Sequence, residues 1–324
     1  MKLSVIITTH NTEKYVAKCL DSIISQTLPD IEILIIDDVS VDSTPAIAQE
    51  YSKKYDNIHF YQLKSSCGPG GARNKALQNA HGKYVAFIDS DDWLDLNYLE
   101  TMYNRAEALC ADIATCGLVR EYDYSVSVPI YKCFYKQEYV FSGEMAFRIM
   151  TNEYKYEIKY LPSALNKIYR RDFLINNSLF FPENIFFEDQ PFSYTCTLAA
   201  KKVACIPGVL YHHFKRSGSI VQSFSYRNID DMMTAYSIIK SFLTENHIYE
   251  KFRYNYYASL EHFYNLIIRQ IFEFVLDENA KKKYLKYTFE KIKTLIDVDE
   301  YIEYLSAEEL RRHIQPNIHD TTIY

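Results

Sequence analysis

The chain has 324 residues, 48% of them hydrophobic, which is enough for one large domain or two smaller ones and excludes global disorder. Its formal net charge is -6 and its pI is near 5.9, so it lacks the basic footprint of a nucleic-acid binder and no nucleic-acid partner is expected. Seven cysteines lie scattered without a CxxC pair, which argues against a zinc site or a disulfide framework and for reduced cytosolic thiols.

The opening "MKLSVIITTHNTEKY" has no small-residue cleavage site behind a long apolar region, so it is expected to be a first strand rather than a signal peptide. "LSVIITT" (3–9) is a short β-branched apolar run and predicts a buried strand. "EKYVAKCLDSIISQT" places Tyr15, Val16, Cys19, Leu20, Ile23 and Ile24 at helical spacing, with Pro29 ending the pattern. "IEILIID" (31–37) predicts a second strand, and "DSTPAIAQEYSKKY" a helix capped by Ser43 or Thr44 with Pro45 in its first turn. "IHFYQL" (58–63) predicts a third strand. A glycine-rich loop and a helix from about 72 to 80 follow, then the strand "YVAFID". Strand and helix alternate for about ninety residues, the pattern of a mostly parallel sheet with helices on both faces.

Further on, "ADIATCGLVREY" predicts another strand and "FSGEMAFRIMTNEY" a helix capped by Ser142. Strand signals stop near 225, and the remainder is helical in pattern. The expected division is 1–224, with halves 1–117 and 118–224, followed by an all-helical region 225–324. No run of 18 apolar residues occurs; "YNLIIRQIFEFVL" is broken by Arg269 and Glu273 and is too short to span a bilayer. The abundance of tyrosine, 30 residues, is explained most simply by aromatic-rich helices packing on one another.

The chemistry gathers at strand ends. In open α/β sheets ligands sit beyond the carboxyl ends of strands. "IIDD" and "FIDSDD" both fall there, and the second crowds Asp89, Asp91 and Asp92 into four positions. Alternate residues of a strand point to one side, so Asp89 and Asp91 can converge. Such oxygen-rich clusters suit Mn2+ or Mg2+, held by one or two carboxylates and substrate phosphates. The competing reading makes Asp91 or Asp92 the cap of a helix in "WLDLNYLETMYNRAEAL". Asp42 and Ser43 read as turn chemistry; for Asp38 a turn role and a ligand role are evenly matched. "SSCGPGGARNKAL" holds three of the eight glycines and is neither a P-loop nor a dinucleotide fingerprint. Arg73 follows at the expected helix start, where the dipole disfavours a cation and an anion such as a diphosphate would offset that placement.

Taken together, "SVIITTHNTEKYVAKCLDSIISQTLPDIEILIIDDVSVDST" and "GPGGARNKALQNAHGKYVAFIDSDDWL" resemble family 2 glycosyltransferases of the GT-A fold. The resemblance is dense over the first hundred residues and thinner through "FFEDQPFSYTCTLA" and "LYHHFKRSGSI". It implies a Rossmann-like GT-A domain with a nucleotide-sugar half and an acceptor half. It also implies a UDP-sugar donor, a Mn2+ or Mg2+ ion and a glycan or lipid-linked glycan as acceptor. By the same resemblance Asp38 contacts the uracil, Thr9 and Asn11 line the base pocket, and Arg73, Asp89 and Ser90 belong to the nucleotide site. Asp91 is then the main metal ligand, with Asp89, Asp92 and His213 beside it. Asp189 becomes the general base with Glu188 adjacent, and His212, Lys215, Arg216 and Ser219 serve the diphosphate or a lid pivoting at Gly218. Three positions depart from the family pattern: His10 in place of tyrosine, Val39 in the "DDGS"-like turn, and Phe214 in place of arginine.

Burial by Phe186, Phe187 and Phe192 is expected to raise the pKa of a base at Asp189. The competing reading of Glu188 and Asp189 is a helix cap. The resemblance implies inversion by direct displacement, in the synthesis of a bacterial surface polysaccharide, by a protein that is cytoplasmic or at the inner face of the membrane. Two other readings are a non-catalytic sugar-nucleotide-binding subunit of the same fold, against which intact Asp91 and Asp189 argue, and a nucleotidyltransferase, for which "TTHNTEKY" supplies no basic triphosphate loop. The helical tail suits an acceptor platform, a homo-oligomer interface or peripheral membrane contact through the basic "KKKYLKYTFEKIKTL".

Overall fold

A computed structural model describes residues 1–122, 132–133, 135–151, 158–215 and 224–314. The chain divides into two compact units, Met1–Ser223 and Phe224–Tyr324.

The first unit opens with β1 (Leu3–Thr9), α1 (Val16–Ile24), β2 (Ile31–Asp37), α2 (Thr44–Lys54), β3 (Ile58–Gln62), α3 (Gly68–Asn79) and β4 (Tyr84–Asp89). It continues with β5 (Trp93–Leu94), α4 (Tyr98–Leu109), β6 (Ile113–Tyr122), β7 (Lys132–Cys133), β8 (Tyr139–Phe141) and α5 (Gly143–Met150), then β9 (Lys167–Arg170), α6 (Arg171–Asn176), α7 (Asp189–Ala199) and β10 (Val203–Lys215). The ten strands among the described residues join one sheet in the order β3-β2-β1-β4-β9-β6-β10-β5, with β7 on β6 and β8 on β10. The first four strands are mutually parallel, as alternation of short strands and helices requires. β9 runs antiparallel to both β4 and β6. The apolar runs are buried because helices cover both faces: β2 is buried at every residue and β1 at all but one. Ser142 caps α5 as expected, its side chain accepting from the Met145 N–H.

Two boundaries differ from expectation. The glycine-rich stretch is the first turn of α3 and not a loop ahead of it, because the helix starts at Gly68. The glycines serve close packing: a Cβ on Gly70 would stand 2.2 Å from the Pro182 carbonyl oxygen, and one on Gly71 2.8 Å from the Cys67 side chain. No helix begins at "WLDL" either. Trp93–Leu94 is a short strand paired with β10, and α4 starts at Tyr98 with no side-chain cap, so neither Asp91 nor Asp92 caps it.

The elements of the second unit, among its described residues, are all helices: α8 (Tyr226–Glu245), α9 (Tyr249–Phe274), α10 (Glu278–Ile292) and α11 (Val298–Ile314). Its core explains the tyrosines. Tyr236, Tyr256 and Tyr257 are fully buried, and buried hydroxyls need partners. Tyr236 donates to the Ser259 carbonyl at 2.8 Å, and Tyr249 and Tyr257 to the Glu300 carboxylate at 2.7 and 2.8 Å. Among the described residues no helix is long and apolar enough to cross a membrane.

Candidate active site

The register of the parallel strands sets the rim. Thr9 pairs with Asp37 and Thr8 with Asp89, so β1, β2 and β4 deliver their last residues to one carboxyl edge. The two aspartates after β2 divide the work. Asp37 is fully buried and accepts from the Thr9 hydroxyl at 2.9 Å, the Ser40 hydroxyl at 2.5 Å and the Ser40 N–H at 3.0 Å. Thr9 is therefore a buried tie between strand ends, 1% exposed, and its hydroxyl does not line an open base pocket as expected. Asp38 reaches across to the head of α3, accepting from the N–H groups of Cys67 and Gly68 at 2.9 and 3.0 Å and from the Ser66 hydroxyl at 2.8 Å. A carboxylate has about four acceptor positions, so one remains for an incoming donor. Asn11, in the left-handed region at φ 51°, accepts from the Val41 N–H at 2.9 Å and joins the loops after β1 and β2. His10 donates from Nδ1 to the Asp38 carbonyl at 2.7 Å, since that oxygen can only accept. Asp42 is turn chemistry, accepting from the Thr44 and Glu13 N–H groups.

The DSDD segment closes as a tight turn, the Asp92 N–H donating to the Asp89 carbonyl at 3.0 Å. Ser90 is buried and donates to the Thr12 hydroxyl at 3.0 Å. Asp91 is half-buried at the tip. Asp92 points into protein, its side chain fully buried, with the Tyr211 hydroxyl at 2.7 Å, the Phe214 N–H at 2.8 Å and His213 Nδ1 at 3.1 Å. With these donors around it, Asp92 is a pin between the turn and β10 and not a metal ligand. Tyr211 was not singled out in the sequence. The signal was the two-residue spacing of Tyr211 and His213, which puts both on one side of β10.

Arg73 differs most from expectation. It is the sixth residue of α3, beyond the first turn, so the helix dipole does not bear on it. Arg73 is 5% exposed, and its guanidinium donates to Asp89 Oδ1 at 2.7 Å and Glu188 Oε1 at 2.6 Å. Burial works against the charge, but Asp89 and Glu188 outweigh it and raise the Arg73 pKa above its ordinary value. Arg73 is therefore a bridge between the end of β4 and the head of α7, and its neutralising anions are carboxylates of the chain itself.

That bridge holds Glu188 and leaves Asp189 beside it. Neither side chain caps α7; Glu188 stands at the N-cap position without a capping hydrogen bond. Phe187 before them is in the left-handed region at φ 64°, a strained conformation for a bulky residue and one that concentrates at functional sites. Asp189 is half-buried and, among the described residues, accepts no hydrogen bond. Burial and the neighbouring Glu188 push its pKa up to about 7, with Arg73 opposing.

Along β10 the two histidines differ. His212 lies between Glu121 and Asp95, its ring nitrogens 2.8 and 3.0 Å from their carboxylates, and it stacks on Trp93 with ring centroids 5.3 Å apart. It is a clamp joining β5, β6 and β10 and is not available to a diphosphate. His213 is held through Nδ1; burial works against its charge, but Asp92 outweighs this and raises its pKa. Lys215 ends β10. Burial lowers its pKa and Arg120 adds to this, while Asp92, Asp91 and Asp189 oppose, so it faces the same carboxylates. Arg216, Gly218 and Ser219 lie outside the described residues.

The model of Glycosyl transferase family 2 matches residues 4–176, more than half of the chain. The putative glycosyltransferase EpsH of Bacillus subtilis is 32% identical over 260 residues, covering 78% of this chain and 72% of that protein. The cholesterol galactosyltransferase of Borreliella burgdorferi is 30% identical over 317 residues, covering 94% and 87%. In fold, the chain is similar to Staphylococcus aureus TarS residues 1–349, whose crystal structure holds UDP-GlcNAc, with a TM-score of 0.61 at 23% identity over 99% of this chain and 95% of that one. The mixed, mostly parallel sheet with its flanking helices is thus a GT-A fold, and the chain belongs to glycosyl transferase family 2.

Proposed function

We propose that this glycosyltransferase moves a sugar, with inversion, from a UDP-sugar to a hydroxyl of a glycan or lipid-linked glycan. The setting would be synthesis of a bacterial surface polysaccharide such as capsule, O-antigen or teichoic acid. The observation that carries the reading is the state of Asp189. A general base needs a vacant lone pair, access to substrate and a pKa near the working pH. Asp189 accepts no hydrogen bond from the described residues, is half-buried and has its pKa pushed up to about 7. Glu188 is held by Arg73, so one carboxylate acts at this point, as single displacement requires. The UDP-GlcNAc in TarS supports a UDP-sugar donor. Asp38, with one acceptor position left, and Asn11 stand at the β1–β2 end where the base would lie.

The donor set at the turn fits Mn2+ or Mg2+ in part. Half-buried Asp91, the second oxygen of Asp89 and the Nε2 of His213 are hard or borderline ligands on one rim. Among the described residues no three His, Cys, Asp or Glu groups already converge. Two carboxylates completed by phosphate oxygens is the usual arrangement for such ions. Asp91 and Asp89 would hold the ion, which when bound supplies Lewis-acid stabilisation to the leaving diphosphate. Lys215 adds positive charge on the same side. Meanwhile Asp189 takes the proton of the acceptor hydroxyl at its carboxylate oxygen, and Arg73 keeps that carboxylate and Asp89 in fixed relation through Glu188.

The test is UDP release from a panel of UDP-sugars, with p-nitrophenyl glycosides as acceptors, with and without Mn2+. Asp91→Asn should abolish metal-dependent turnover; Asp189→Asn should abolish transfer and leave UDP binding intact. Binding of UDP without turnover of any donor would favour a non-catalytic subunit. Absence of manganese-assisted UDP binding by calorimetry would sink the proposal.

A further inference from the structure

We propose that Lys167 is a positioning residue for the acceptor: its ammonium gathers backbone carbonyls of the segment ahead of β9 and folds that segment into a wall on the acceptor side of the site. The assignment rests on reading Asp189 as the base.

The placement follows from topology. β9 is antiparallel to β4 with Ala86 opposite Ile168, so Lys167 enters the sheet at the carboxyl end of β4, the end that carries Asp89. The segment 158–166 therefore lies on the active rim. The sheet order is β2-β1-β4-β9, and neighbouring strands are about 4.8 Å apart, which sets the start of β9, where this segment ends, two strand spacings or roughly 10 Å across the sheet from β1. The nucleotide reading occupies the β1–β2 flank. The β9 flank is left for the acceptor, and there Leu161, Pro162 and Ser163 are half-buried and present a surface.

Lys167 is 1% exposed. Its Nζ donates to the Ser163 carbonyl at 2.7 Å and the Leu161 carbonyl at 3.0 Å, with the Leu165 carbonyl at 3.5 Å and Asn166 Oδ1 at 3.4 Å, and it lies 5.0 Å from the centre of the Tyr160 ring. An ammonium has three donors, and carbonyls turned inward on one point meet them. Without a cation the same oxygens would repel one another and be left unsatisfied, so the charge dictates the fold of the segment. The segment is tied at both ends. Asn166 donates to the Thr115 hydroxyl at 3.1 Å on β6, and the Tyr160 and Thr197 hydroxyls are 3.3 Å apart, which links it to α7, the helix that begins at Asp189. The Lys167 charge also faces Asp189, where it and Arg73 oppose the effects of burial, Glu188 and Asp89, with Lys215 nearby.

The experiment compares wild type with Lys167→Met, which keeps the stem and removes the charge. Amide hydrogen exchange in 158–168 should rise at least fivefold while that of 84–95 stays unchanged. UDP affinity with Mn2+ should stay within twofold, the KM for a p-nitrophenyl glycoside acceptor should rise tenfold or more, and the acid limb of kcat/KM should move to higher pH. Tyr160→Phe cuts only the link to α7 and should raise the acceptor KM by a smaller factor; if Lys167→Met does not fold, Lys167→Gln, which removes the charge and keeps a donor, carries the test. Wild-type exchange in 158–168, or a wild-type acceptor KM in either folded variant, overturns the proposal. Asp189→Asn is run alongside: if it still transfers sugar, the reading of the base fails, and Lys167 is judged on exchange and acceptor KM alone.

Discussion

At the residue level, Asp189 sets activity against stability. Its folded pKa is raised to about 7 from an ordinary value of 3.8, chiefly by burial. Between those values the folded chain holds a proton that the unfolded chain releases, so this group's contribution to stability is full below pH 4 and is lost as pH rises through 7. The base is competent only above that point. The acid limb of kcat/KM should therefore fall near pH 7, while the stability from this group declines between about pH 4 and pH 7. Asp189→Asn should lose transfer and gain in Tm relative to wild type, with the gain larger at pH 8 than at pH 4. An equal Tm difference at both pH values would mean that the carboxyl is not held protonated. Arg73 gives the opposite case. Arg73→Met leaves Asp89 and Glu188 without their shared cation, and breaking a buried pair in this way costs about 3–5 kcal/mol, readable in urea unfolding. Adding Glu188→Gln should recover part of the loss.

At the level of elements, what was legible in the sequence follows from range. β1 and β2 could be bounded to the residue because a buried parallel strand is a nearly continuous apolar run, broken inside only by Ser4 in β1 and Glu32 in β2 and ending in the polar Thr8–Thr9 and Asp37. The start of α3 could not be read, since glycine signals a loop locally and the reason for Gly70 is the Pro182 carbonyl, more than a hundred residues away. The site divides the same way. The carboxylates of β2 and β4 were visible as a rim, whereas the duties of Asp92, His212 and Arg73 depend on partners from β10, β6 and α7 that no local pattern announces. Gly70→Ala tests the packing argument: a Cβ 2.2 Å from a backbone oxygen forces α3 and the 181–183 segment apart, at a cost of about 1–3 kcal/mol. The displacement would also strain the Arg73–Glu188 bridge, so transfer should fall more than UDP binding.

At the level of the whole molecule, the question is what each unit needs. The hydrogen bonds given above for Asp38, Asp89, Asp92 and Arg73 come from within Met1–Ser223, and so does the sheet that carries them. The helical unit has a core of its own, with Tyr236, Tyr256, Tyr257, Ile239 and Ile267 at 1% exposure or less. Large buried aromatics with satisfied hydroxyls are what a separately folding helical unit requires. A chain ending at residue 223 should therefore remain folded and bind UDP with Mn2+ within about threefold of the full chain, a difference below roughly 0.7 kcal/mol. Residues 224–324 alone should show a helical circular dichroism spectrum with a cooperative melt. If the helices supply part of the acceptor platform, the shortened chain should hydrolyse or hold donor while its acceptor KM rises sharply. Loss of UDP binding on truncation would instead place a determinant of the donor site beyond residue 223, and the assignment of that site to the carboxyl edge of β1, β2 and β4 alone would have to be abandoned.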